Sequence, residues 1–136
     1  VLSTITPVES PIVDRKWLGE RTHVNAIGAD AAGKQEHSER TLLDAKLVID
    51  NYEQCTHSGE INVPWGEGTL TDTDLHGELG DIVAGTLSGR TDDDGITLFD
   101  STGLAIQDVA AAHVVYENAS DDGDGTAFSL VDTETS

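Results

Sequence analysis

The sequence predicts an α/β fold with a mostly parallel sheet flanked by helices. Short runs of β-branched and apolar residues alternate with segments whose apolar residues recur at helical spacing. One of these runs, Lys46–Asp50, is apolar through its middle, which is typical of a strand buried in a parallel sheet. The 136 residues suffice for one domain.

The strands are predicted from β-branched or apolar runs that end at a glycine, a proline or a polar turn. The first run ends before Pro7, and a loop follows it to Pro11. The predicted strands are Val1–Thr6, Thr22–Ile27, Lys46–Asp50 and Ile96–Phe99, with a further short one at Ala127–Val131.

Three short helical segments are predicted at Asp14–Leu18, Glu39–Ala45 and Tyr52–His57. In the second of them Ser38 is the expected N-cap, and Leu42 and Leu43 are expected to face inward. Beyond the third, three glycines and a proline between residues 59 and 68 interrupt the pattern.

Two longer helices follow from apolar spacing. The first is predicted over Leu75–Ala84, capped by Asp72 or Asp74 and ended by Gly85. Its expected apolar face consists of Leu75, Leu79, Ile82 and Val83. The second is predicted over Gly103–Asn118, with Ala105, Val109, Ala112 and Tyr116 expected to be packed.

The net charge of -19 comes from 26 acidic and 7 basic residues. Such a chain is repelled by phosphate backbones and anionic lipid, so neither nucleic acid nor a membrane surface is an expected partner. We interpret the acidity as a high-salt adaptation of exposed positions rather than as a cation-binding surface. The clusters Asp92–Asp94 and Asp121–Asp124 do not match a calcium loop, and the histidines lack metal-ligand spacing, so no metal site is predicted.

The chain holds one cysteine, Cys55, which has no motif partner and is interpreted as a small apolar residue. A chain without an internal disulfide fits a reducing compartment, so a cytoplasmic location is expected.

Three segments are candidates for chemistry because they follow predicted strands, and ligands bind beyond the carboxyl ends of parallel strands. They are Thr6, Gly28–Asp30 and Asp100–Gly103. Each alone is explained as a turn or a cap, whereas their shared edge indicates a site. Lys34 lies four residues beyond Asp30, so the amine could pair with a substrate carboxylate while the Asp handles protons. Neither a G-x-G-x-x-G motif nor a P-loop is present.

Two stretches resemble signature segments of the ornithine cyclodeaminase/mu-crystallin family, which includes archaeal alanine dehydrogenases. They are HVNAIGADAAGKQE, from His23, and ITLFDSTGLAIQDVAAA, from Ile96. STITP near the N-terminus and ELGDIVAG before the second signature are also similar to the family, so the resemblance covers residues 1 to about 119.

The resemblance implies the C-terminal part of a Rossmann-type NAD(P)-binding domain. Residues 1–119 would be this part with a returning helix, and 120–136 an acidic, flexible tail. Family members are dimeric enzymes that move a hydride between the cofactor and a small amino acid or cyclic imine. The N-terminal substrate residues and the glycine-rich fingerprint are not in this sequence, so a fragment is expected.

Matched residue by residue, the resemblance implies that Asp30 is the acid/base and that Lys34 binds substrate. It also implies cofactor contacts for Thr6, Ile27, Gly28, Ala29, Asp30 and Ser101. The choice among ornithine, alanine and an imine, and between NAD and NADP, stays open. The alternative is a non-catalytic fragment that acts only with a partner chain or has no activity.

Overall fold

The computed structural model describes residues 1–126 and residue 128. Their strands form one parallel sheet in the order β1-β2-β5-β3-β4. The strands are β1 (Leu2–Thr4), β2 (His23–Ala26), β3 (Lys46–Ile49), β4 (Leu75–Glu78) and β5 (Thr97–Asp100). This arrangement confirms the predicted α/β class and its parallel sheet.

The helices are short except for the last. They are α1 (Glu39–Asp44), α2 (Tyr52–Ser58), α3 (Asn62–Gly66), α4 (Leu79–Ala84) and α5 (Ala105–Asp122), with 3₁₀ turns at Arg15–Trp17 and Asp72–Asp74. The chain divides into two compact units, Val1–Leu104 and Ala105–Ser136. The sheet and the first four helices belong to the first unit. No helix among the described residues is long and apolar enough to cross a membrane.

The core of the first unit lies on one face of the sheet. Alternate residues of β2 and β3 are buried because successive side chains point to opposite faces. These strand residues pack with buried side chains from the helices and loops on that face. The cluster consists of Val24, Ala26, Leu42, Leu47, Ile49, Cys55, Ile61, Leu70 and Leu98.

The predicted helix over Leu75–Ala84 is wrong in its first half. Residues 75–78 form β4, which pairs with β3 through a register shift, and only Leu79–Ala84 is helical. Gly77 has φ +147, and a Cβ at this position would lie 2.6 Å from Leu87. The strand therefore needs glycine here, both for its backbone conformation and for space. Pairing within the sheet therefore overrides a helical spacing of apolar residues. Gly85 ends α4 at φ 77, as predicted.

Three details of the shorter helices also differ from expectation. Leu42 is buried, but Leu43 is 42% exposed because it lies on the solvent side of α1. Ser38 precedes α1 without a side-chain cap, since its hydroxyl instead bonds the Thr41 hydroxyl at 3.0 Å. The interrupted stretch contains α3, in which Pro64 lies in the first turn, where a missing N–H costs little.

Helix α5 runs four residues beyond its predicted end and begins two residues later than predicted. None of its residues is buried, so the expected packing of Ala105, Val109, Ala112 and Tyr116 is wrong. These positions lie on α5, which belongs to the second unit. The strand predicted at Ala127–Val131 lies outside the described residues, except for residue 128.

Candidate functional site

The carboxyl ends of four strands meet at one edge of the sheet. In the register, Thr4 of β1 is opposite Ala26 of β2, which is opposite Asp100 of β5, which is opposite Ile49 of β3. The segments that follow these strands therefore emerge side by side. They include the sequence-predicted Thr6, Gly28 and Ser101.

A buried carboxylate, that of Glu36, joins the chain after β1 to the chain after β2. Its Oε1 accepts hydrogen bonds of 2.7 Å from both the amide and the hydroxyl of Thr6. Its Oε2 accepts a bond of 3.0 Å from the amide of Gly28. Burial alone would raise the pKa of Glu36, but the hydrogen bonds that its carboxylate accepts lower it below the ordinary value. Glu36 is therefore an anion that holds Thr6 and Gly28 together.

Gly28 is a position at which the backbone must come close. A Cβ there would lie 2.4 Å from both the amide nitrogen and the carbonyl oxygen of Thr6, and 2.6 Å from Cδ of Glu36. Only glycine leaves room for this approach.

Asp30 and Lys34 form an ion pair on the loop that follows β2. The Asp30 side chain is 63% exposed and that of Lys34 is 24% exposed. The hydrogen bond from the Lys34 ammonium, together with its charge, lowers the pKa of the Asp30 carboxyl. Asp30 is thus a solvent-accessible anion whose carboxylate is held by the ammonium of Lys34.

The loop that carries this pair is fixed by Asn62 at the start of α3. The Asn62 side-chain oxygen accepts a bond of 2.8 Å from the Gly33 amide. Its amide group donates to the carbonyl oxygens of Lys34, at 2.8 Å, and Gly59, at 2.6 Å. The Asn62 side chain thus forms hydrogen bonds with three backbone groups and connects the loop to the start of α3.

A second buried carboxylate, that of Asp50 after β3, organises the chain after β5. It accepts hydrogen bonds from the Ser101 hydroxyl at 3.1 Å and from the Thr102 amide at 2.7 Å. The Cys55 thiol also donates to it at 3.1 Å. The resemblance implies a cofactor contact for Ser101; because its hydroxyl donates to Asp50, the hydroxyl presents only its lone pairs to a ligand.

Two further carboxylates, those of Asp100 and Glu60, connect the end of β5 to the chain at Glu36 and His37. Asp100 accepts from the amides of Glu60 and Ile61, at 2.9 and 3.2 Å. Glu60 in turn accepts from the amides of Glu36, at 3.0 Å, and His37, at 2.6 Å. Burial, with the negative charge of neighbouring carboxylates added to it, raises the pKa of Glu60 to about 8 and that of Asp100 to about 7.

The sequence-predicted residues are brought to one edge but have different environments. The Ile27 amide bonds the Thr4 carbonyl at 2.9 Å, and the Ser101 amide bonds that of Ala26 at 3.0 Å. Ala29 and Ser101 are buried, whereas Asp30 is exposed. Cys55 is free and buried, and burial raises the pKa of its thiol.

Sequence reasoning missed the buried carboxylates and the asparagine that shape this edge. Glu36, Glu60, Asp50 and Asp100 are all buried, against the expectation that acidic residues occupy exposed positions. Glu36 ends the signature stretch from His23, and Asp50 and Asp100 lie at the ends of predicted strands, but nothing in the sequence marks these acids or Glu60 as buried. No group of metal-ligating side chains occurs in the described part of the chain.

The sequence and the structure of this chain are similar to those of known proteins. The family model of the ornithine cyclodeaminase/mu-crystallin family matches residues 1–123. Alanine dehydrogenase of Archaeoglobus fulgidus is 54% identical over 119 residues, which are 88% of this chain and 37% of that protein.

Two solved structures are also similar. An archaeal alanine dehydrogenase dimer with bound NAD has a TM-score of 0.84 and 48% identity, covering 96% of this chain and 41% of that one. Δ1-pyrroline-2-carboxylate reductase of Thermococcus litoralis, in complex with NADH and L-proline, has a TM-score of 0.83 and 36% identity, covering 93% and 40%. The chain thus spans about two fifths of the length of its relatives.

Proposed function

Because the chain belongs to the ornithine cyclodeaminase/mu-crystallin family, we propose that it is the C-terminal part of an NAD(P)-dependent oxidoreductase of small amino acids or cyclic imines. The family match supports this proposal, as do relatives named alanine dehydrogenase and Δ1-pyrroline-2-carboxylate reductase. The observation that carries it is the exposed Asp30–Lys34 ion pair beside the strand ends. A dimeric relative supports a homodimer for the whole protein.

The residues present fit the nicotinamide half of such a cofactor. The hydroxyls of Thr6 and Ser101 each donate to a buried carboxylate, so both present lone pairs at the sheet edge. A pair of acceptors suits the amino group of a carboxamide. When bound, the cofactor supplies a hydride acceptor or donor. Its pyrophosphate calls for a glycine-rich strand-to-helix turn, which this sequence does not contain.

Asp30 and Lys34 have complementary roles in this proposal. Asp30 is an ionised carboxylate at neutral pH, and in this proposal it takes a proton from the substrate nitrogen or from water. The ion pair with Lys34 lowers the pKa of Asp30, so this pair must loosen when the substrate carboxylate engages the Lys34 ammonium. Lys34 holds a cation beside it, which attracts the carboxylate of an amino acid. The fixed loop, tied down by Asn62, keeps the two groups at one place relative to the strand ends.

The second candidate is a non-catalytic fragment that acts only with a partner chain. The observation that favours it is the coverage of about two fifths of each relative. A chain without the pyrophosphate-binding turn has lost the main donors to the cofactor.

A chimera separates the two candidates. The matching segment of Archaeoglobus fulgidus alanine dehydrogenase is replaced by this chain, and NADH formation from alanine and NAD⁺ is followed by absorbance. We expect measurable turnover, because the chain would supply a complete nicotinamide edge and an acid/base. A folded chimera that binds NADH but neither forms it from alanine and NAD⁺ nor consumes it in the presence of a cyclic imine would favour the non-catalytic fragment.

A further inference from the structure

The buried carboxylate of Glu36 lies next to the proposed site but has no role in the function proposed above. It is fully buried, and its carboxylate accepts hydrogen bonds from Thr6 and Gly28, which follow β1 and β2. These two residues lie where a ligand of the sheet edge is expected. Glu36 itself does not face the ligand, since it lies beneath them.

We propose that Glu36 is a positioning residue of the cofactor-binding edge, which sets the Thr6 hydroxyl and the Gly28 backbone in fixed register across β1 and β2. The inference rests on the proposed function, because positioning has meaning only where a cofactor binds. It gives a role to Glu36, which ends the signature stretch that begins at His23 but has no role from the motif match or from the exposed ion pair.

The first argument is the division of the two carboxylate oxygens. Oε1 accepts the two hydrogen bonds from Thr6 and Oε2 accepts the bond from Gly28, so one rigid group fixes the distance between the segments that follow β1 and β2. Because the Thr6 hydroxyl donates its hydrogen bond to Glu36, this bond also fixes the direction in which the lone pairs of the hydroxyl point.

The second argument is that Glu36 is itself held in place. Its own amide donates to Glu60, whose amide donates to Asp100 at the end of β5. The ends of three neighbouring strands are therefore linked through carboxylates to backbone amides. A Cβ at Gly28 would lie 2.6 Å from Cδ of Glu36, so the carboxylate occupies the space beside the glycine.

The experiment uses the chimera with Glu36→Gln. Glutamine has one carbonyl oxygen where the carboxylate has two, so one strand end faces an N–H₂ group that accepts no bond. We expect the KM for NAD⁺ to rise by roughly tenfold or more, since displacement of about 1 Å in a binding group is costly. The KM for the amino acid should change less, because Asp30 and Lys34 are fixed by Asn62.

Two control variants identify a merely structural effect. Glu39→Gln makes the same change on the exposed face of α1, and Leu70→Ala truncates a buried residue of the apolar core cluster. Both should leave the KM for NAD⁺ unchanged, even though Leu70→Ala lowers the thermal midpoint.

The outcomes separate the two proposals. A wild-type chimera that folds without turnover overturns the proposed function and the positioning role with it. An active chimera in which Glu36→Gln lowers only the thermal midpoint, with KM for NAD⁺ as in wild type, overturns the positioning role and leaves the proposed function standing.

In the 136-residue chain, amide hydrogen exchange supplies the second measurement. We expect Glu36→Gln to speed exchange at Thr6 or Gly28 by tenfold or more relative to Glu39→Gln. Equal protection at both amides in the two variants would contradict the assigned hydrogen bonds and hence the positioning role.

Discussion

The stability of the chain should fall as the pH rises from 6.5 to 8, because Glu60 is buried and holds its proton. Burial raises its folded-state pKa to about 8, from an ordinary value of 4.5. Between these values the folded chain binds a proton that the unfolded chain releases, so stability present below 4.5 is lost as the pH rises through 8. Asp100, with a pKa of about 7 raised by the same causes, acts in the same direction.

Other groups set the window in which this effect is cleanest. The pKa of His37 is lowered by burial, which makes stability rise with pH up to about 6.5, its ordinary value, and so opposes Glu60 there. The lowered pKa values of Glu36 and Asp30 act only below the ordinary range of carboxyls. From pH 6.5 to 8, about 1.4 kcal/mol per pH unit gives a loss of roughly 2 kcal/mol.

The assay is urea unfolding at pH 6.5, 7.2 and 8, followed by the fluorescence of Trp65, which packs against the core. Glu60→Gln should flatten the pH dependence, because Oε1 alone reaches the amides of both Glu36 and His37 and an uncharged amide oxygen can accept both bonds. Glu53→Gln, on the exposed face of α2, is the matched control. A wild-type stability that is constant or rising over this range, or a Glu60→Gln slope equal to that of wild type, would refute the reasoning.

Three further outcomes are expected. Gly28→Ala should destabilise the chain by about 1–3 kcal/mol because its Cβ collides with the Thr6 backbone, whereas Gly80→Ala, in α4 with open space around it, should stabilise by roughly 0.5–1 kcal/mol; equal effects in urea unfolding would contradict the close approach. The isolated chain should bind NAD with a Kd of about 1 mM or weaker in calorimetry, and micromolar binding would count against the missing pyrophosphate turn. In the described part of the chain, β1 is an outer strand that pairs only with β2, so the backbone groups on its other side are unpaired. Sedimentation should therefore show association that grows with concentration, and a monomer at every concentration would contradict this.

The parallel sheet was predictable because its signal is local. Buried parallel strands are short apolar runs, and KLVID and ITLF carry that pattern without help from the rest of the chain. Strand β4 carries no such pattern. Leu75, His76, Gly77 and Glu78 extend only because β3 offers a free edge, and that is a property of the assembled sheet.

That the candidate residues follow strand ends was predictable, but the buried carboxylates that hold their backbone in place were not. Strand-end logic and the family resemblance placed Asp30, Lys34 and Ser101 at one edge of the sheet. The carboxylates beneath them could not be found in this way, because a chain with 26 acidic residues gives no local sign of which few are buried. Only the fold reveals that Glu36 meets Thr6 across 30 residues and that Asp50 meets Ser101 across 51.

The protonation role of Asp30 is the central claim, and Asp30→Asn in the chimera tests it most directly. Asparagine keeps the shape and a hydrogen bond acceptor for Lys34 but cannot take a proton, so NADH binding should persist while turnover falls by roughly 10²–10⁴-fold. Asp93→Asn, the same change at an exposed position of the loop before β5, should leave both unchanged. Turnover by the Asp30→Asn chimera at the wild-type rate would contradict the account.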